Sequence, residues 1–112
     1  MADPESKTVV LREERQGRDY RYLCAYLDAE GRLHIDGQDL GPGTAPVSSD
    51  GEYEWFQTIA AEHVPRVVAL LDGHAGDDIL EVLRVWTGAR SYELERRLRE
   101  SDIPVERSVW SG

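Results

Sequence analysis

The run YRYLCAYLDAEGRLHIDGQDLGPG, Tyr20 to Gly43, constrains the chain more than any other stretch. Side-chain character alternates with period two on both sides of the Ala29-Glu30-Gly31 turn, which is the pattern of a β-hairpin. A three-residue loop with glycine in the left-handed position suits a type I turn followed by a bulge. That loop pairs Leu27 with Leu33, Ala25 with Ile35, Tyr26 with His34 and Cys24 with Asp36. A slip of one residue would mix aliphatic and polar side chains on each face. The expected inner face is therefore Leu23, Ala25, Leu27, Leu33 and Ile35. The expected outer face is Tyr20, Tyr22, Cys24, Tyr26, His34 and Asp36. Burying a large aliphatic side chain contributes about 1.5–3 kcal/mol, so the aliphatic face decides the fold.

The rest of the chain supplies further strands and then helices. Met1–Lys7 reads as a frayed polar lead, and residues 8–112 as one domain. Thr8–Glu13 is β-branched and reads as a strand, followed by a charged turn at Glu14–Asp19. Gly37–Gly51, with four glycines and two prolines, reads as a loop. Glu52–Ala60 reads as a strand in which Tyr53, Trp55, Gln57 and Ile59 alternate with Glu54, Phe56 and Thr58. Helices are expected at Glu62–Leu71, stopped by Gly73, at Asp78–Thr87, with Asp78 and Glu81 as a capping box, and at Ser91–Ser101, with Ser91 as cap. Pro65 fits only the first turn of its helix. Val105–Trp110 reads as a last strand. The order β-β-β-β-α-α-α-β predicts an α+β domain: an antiparallel meander of four to five strands with two to three helices on one face.

Charge and cysteine usage narrow the function. The net charge is −9. Residues 28–62 carry eight acids against Arg32 alone, while residues 1–27 balance. Nucleic-acid binding needs the opposite sign, whereas an acidic surface steers a basic partner and also keeps a chain soluble. No apolar run reaches membrane-spanning length, and the first residues lack an apolar signal core. Cys24 is the one cysteine, so no internal disulfide forms, which fits a reducing compartment, the cytoplasm.

Among candidate sites, the outer aromatic face stands first. Tyr20, Tyr22, Tyr26 and His34, with Asp36, Asp39, Glu52, Glu54 and Trp55, are the residues expected to meet a protein partner or a second copy of the chain, because aromatic rings beside carboxylates suit a cationic surface. Tyrosine is also simply a good strand residue, and carboxylates on a strand also deter edge pairing. Cys24 and His34 share the outer face, but Asp36 beside the thiol opposes a thiolate. In DGHAGDD, Asp72–Asp78, His74 sits among carboxylates, yet the spacing matches neither a calcium loop nor a paired-histidine zinc site. GQDLGPG lacks the Lys-Ser/Thr of a phosphate loop. Asp50, Glu52 and Glu54 precede Trp55 and Phe56 without a second aligned carboxylate pair for acid–base chemistry.

LDAEGRLHIDGQDLG, YEWFQTIAAEHVPRVVALL, SYELERRLRESDIP and the closing VWSG together resemble a group of small acidic proteins from high-GC, actinobacterial-type bacteria. The resemblance runs from Leu23 onward. It implies the strand-then-helix layout and brings no activity, cofactor or residue role. The reading is a non-enzymatic acidic interaction protein, an immunity-type or regulatory partner of a basic protein, with no cofactor. The alternative is a small-molecule or metal-binding domain with its site near Cys24, His34 and the 37–51 loop.

Overall fold

The structure, a computed structural model, describes residues 8–41 and 52–111. The expected lead at 1–7 and residues 42–51 of the expected loop lie outside them. Strands β1 (Val9–Gln16), β2 (Asp19–Leu27), β3 (Leu33–Leu40), β4 (Glu52–Ile59) and β5 (Glu106–Ser111) form one antiparallel sheet in chain order. Between β4 and β5 come a 3-10 turn at Ala61–His63 and helices α1 (Val64–Leu70), α2 (Ile79–Leu83) and α3 (Arg90–Glu100). The chain is thus an α+β meander. The helical excursion leaves and returns at one end of the sheet, since Thr58 pairs with Glu106. Among the described residues, no helix is long and apolar enough to cross a membrane.

The hairpin register is the expected one: Leu27 faces Leu33, Ala25 faces Ile35, Tyr26 faces His34 and Cys24 faces Asp36. Leu23, Ala25, Leu33 and Ile35 are fully buried under the helices, with Leu27 half-buried at the rim. Helix side chains Val67, Val68, Leu83, Trp86, Leu94 and Leu98 complete the core.

Several local expectations are corrected, each for a visible reason. The charged turn at Glu14–Asp19 shrinks to Gly17 and Arg18, because Gly17 (φ 62) closes a two-residue hairpin and lets both strands run on. In β1 the register shifts between Val10 and Arg12, so Leu11 and Arg12 are both buried. The freed Leu11 carbonyl accepts from Gly88 N–H at 2.8 Å. Arg12 reaches across to α3: its Nε donates to Ser91 Oγ at 2.9 Å, its Nη2 lies 2.6 Å from Glu95 Oε1, and its guanidinium stacks 3.6 Å from the Tyr92 centroid. Ser91 is therefore no helix cap. It is buried, and its hydroxyl donates to Gly88 O. Asp78 does cap α2, accepting from Leu80 N–H, while Glu81 turns to Arg84 instead of closing a capping box. α2 is shorter than expected, and the chain beyond it turns so that Trp86 is buried with its Nε1 donating to Leu71 O. After α1 the left-handed position falls on Asp72 (φ 68), not Gly73, and Arg97 holds the Asp72 carboxylate at 3.0 Å.

Gly37 opens no loop but sits inside β3, opposite Trp55. A Cβ there would lie 2.1 Å from Trp55 Cζ2, so the indole lies directly on the backbone. Gly37→Ala is expected to destabilise the fold by about 1–3 kcal/mol through overpacking. Urea unfolding measures this, and an unchanged midpoint would contradict the packing.

Candidate functional site

With all helices on one side, no layer of the described residues lies over the other face of the sheet. Antiparallel pairing sets its rows. Val10, Cys24, Asp36, Phe56 and Ser108 form one; Glu13, Tyr22, Gln38, Glu54 and Trp110 the next. On either side run Tyr26, His34, Thr58 and Glu106, and Arg15, Tyr20, Leu40 and Glu52. Seven of the nine expected residues share this face: Tyr20, Tyr22, Tyr26, His34, Asp36, Glu52 and Glu54.

Two do not. Trp55 has the opposite parity and is 6% exposed, packed on Gly37 in the core. Asp39 pairs with Arg21 and Tyr53 on the helix-bearing side. Burial pushes the Asp39 carboxyl up, against the opposing pull of Arg21 and Arg12. Sequence reasoning passed over three outer-face residues: Phe56 (38% exposed), Trp110 (50%) and Val10 (44%). The alternation of Glu54, Phe56 and Thr58 was the available signal, since the row holding an uncompensated Glu belongs to the wet side.

The aromatic groups are ordered by one another and by polar neighbours. Tyr20 and Tyr22 stack with centroids 6.3 Å apart, and Tyr26 lies on the His34 ring at 4.7 Å, nearly parallel. Tyr20 Oη donates to Glu13 Oε2 at 3.0 Å, and Arg15 covers its ring at 4.6 Å. His34 Nε2 lies 2.8 Å from Asp28 Oδ2, with Nδ1 3.4 Å from Thr58 Oγ1. The His34 hydrogen bond is the largest cause holding the Asp28 carboxyl well below the usual range. It acts against partial desolvation, and Arg32 adds to it through Nε at 2.7 Å.

A notch of about 150 Å³ at the centre of the face is lined by Tyr22, Cys24, Asp36, Gln38, Glu54 and Phe56. Gln38 Nε2 donates to Glu54 Oε1 at 3.1 Å. Burial pushes the Asp36 carboxyl up, partly offset by His34 and Tyr26. Burial first, then the Asp36 charge, pushes the Cys24 thiol up, which disfavours its thiolate form.

The outer-face rows carry five carboxylates, Glu13, Asp36, Glu52, Glu54 and Glu106, against Arg15 among the described residues. A concavity of about 570 Å³ lies on the helix side around His74. Its carboxylates have internal partners: Asp72 takes Arg97, Asp77 takes the His74 N–H, Asp78 caps α2 and Glu81 takes Arg84. No group of three His, Cys, Asp or Glu side chains among the described residues is placed to hold a metal ion.

Compared with protein-family models, with curated proteins and with solved structures, the chain has no match.

Two outcomes test this geometry. A carboxyl lowered in the folded state stabilises the fold above its unfolded pKa, and that contribution disappears as pH falls through the folded value. His34→Ala should therefore move the Asp28 side-chain titration midpoint upward, read by carboxyl carbon NMR; an unmoved midpoint refutes the pairing. Asp36→Asn should speed Cys24 alkylation at neutral pH by removing the neighbouring charge, while the wild-type thiol reacts more slowly than free cysteine.

Proposed function

We propose that this chain is a non-enzymatic acidic interaction protein of the cytoplasm, an immunity-type or regulatory partner, and that its uncovered sheet face docks a basic protein. The observation that carries the reading is the central pair of rows. Tyr22, Phe56 and Trp110 there present ring surface beside Asp36 and Glu54, on a face where carboxylates outnumber guanidinium groups. Aromatic side chains supply buried area with few rotors to freeze, and uncompensated carboxylates select and steer a cationic partner. The lone Cys24 agrees with a reducing compartment. The competing small-molecule or metal reading draws less support from the described groups: burial disfavours the Cys24 thiolate, and Asp72, Asp77 and Asp78 around His74 already have partners within the chain.

The test is affinity capture from the source organism at low and moderate salt, with Tyr22→Ser and Phe56→Ser beside the wild type. The expected result is a basic protein held at low salt, weakened as salt rises, and lost from both variants while their thermal unfolding stays close to wild type. Retention unaffected by either substitution refutes the docking face. Sedimentation at the same concentrations separates a foreign partner from self-association, since capture of the chain by itself would replace the basic partner with a second copy.

A further inference from the structure

We infer that the notch at the centre of the outer face receives an arginine side chain of the docked partner. This rests on the docking reading above and adds the chemistry of the contact. Inside the fold, partly or wholly sheltered carboxylates are matched with guanidinium groups. Glu95 has Arg12 at 2.6 Å, Asp28 has Arg32 at 2.7 Å, and Glu93 has Arg97 at 3.2 Å. On the outer face Asp36 and Glu54 depart from that pattern, as Asp39 does on the helix-bearing side, where the Arg21 and Arg12 charges still act on it. Asp36 and Glu54 are both half-buried, and neither has an ion-pair partner among the described residues. Asp36 Oδ1 is shut off from solvent with no hydrogen-bond partner, while Tyr26 and the Gln57 backbone N–H meet the carboxyl group, so the carboxylate that lines the notch has no cationic partner of its own.

The walls suit a guanidinium in particular. One N–H of the Gln38 amide donates to Glu54 Oε1, and the Gln38 carbonyl oxygen and Glu54 Oε2 are further acceptor atoms of the residues that line the notch. The exposed Phe56 ring offers a flat face for stacking. Ring, carboxylate and neutral oxygen together match a planar cation with several divergent donors better than a compact ammonium. The chain already uses this arrangement internally, where Arg12 lies 3.6 Å over the Tyr92 ring with Glu95 at one edge and Ser91 Oγ at another. The outer notch presents the same kinds of group: a ring, a carboxylate and a neutral oxygen.

Short capped peptides carrying two arginines, two lysines or two citrullines provide the probes, titrated into isotope-labelled full-length protein and followed by amide shifts. The arginine peptide should perturb Tyr22, Gln38, Glu54 and Phe56, bind about tenfold more tightly than the lysine peptide, and leave the citrulline peptide without effect. Glu54→Gln should abolish the response. Phe56→Leu, which keeps both carboxylates, should bring arginine down to the lysine level. Thermal unfolding of both variants verifies the fold. Equal response to arginine and citrulline, or shifts confined to the Asp72–Glu81 side, overturns the inference. A captured partner released by Tyr22→Ser but retained by Glu54→Gln also overturns the arginine contact while leaving the docking face standing. Loss of all capture removes both.

Discussion

Sealing Leu23, Ala25, Leu33 and Ile35 from water is the constraint from which the remaining architecture follows. Each large aliphatic side chain on that face contributes about 1.5–3 kcal/mol when buried, and the hairpin register puts them side by side. Because side chains alternate strictly, committing that row to the helices commits Tyr22, Cys24, Tyr26, His34 and Asp36 to the other side. The open aromatic face is the necessary reverse of the core. The helices come as one uninterrupted excursion between β4 and β5, so they cover one face and leave the other.

Two irregularities tie the layers together. The register shift in β1 turns Leu11 and Arg12 inward together, one to apolar packing and one to a polar lock on α3. A buried guanidinium is costly unless its donors are satisfied, and here Ser91, Glu95 and the Tyr92 ring meet it. On the same face of the sheet, Gly37 omits a side chain so that the Trp55 indole can pack directly on β3. Both devices use a local departure from the plain strand pattern to admit a large group.

The candidate site is where the fold leaves its own habits unfinished. In the helix-bearing half, Glu95, Asp72 and Glu93 meet arginines, Asp77 meets a backbone N–H group and Asp78 caps α2. On the open face, rings stack on rings and carboxylates collect with Arg15 as the counter-charge among the described residues. Such a surface has low rotor entropy to lose and a definite sign, the two properties a specific contact with a cationic partner needs.

The amino-acid sequence by itself determined the hairpin, its register and its two faces, because period-two alternation and a glycine turn act over a few neighbouring residues. It also determined the strand-then-helix order, Pro65 in a first turn and Asp78 as a cap. It did not determine the parity of β4. Tyr53-Glu54-Trp55-Phe56 carries an aromatic on each face, and the choice fell to Gly37, a residue of another strand, which alone leaves room for an indole. The inward turn of Arg12 was equally hidden, since its partners Ser91 and Glu95 lie about eighty positions away along the chain. Trp110 joined the outer face only because β5 paired at the β4 edge. Contacts between distant segments are set by which surfaces fit when the layers close, and that information belongs to no single stretch of chain.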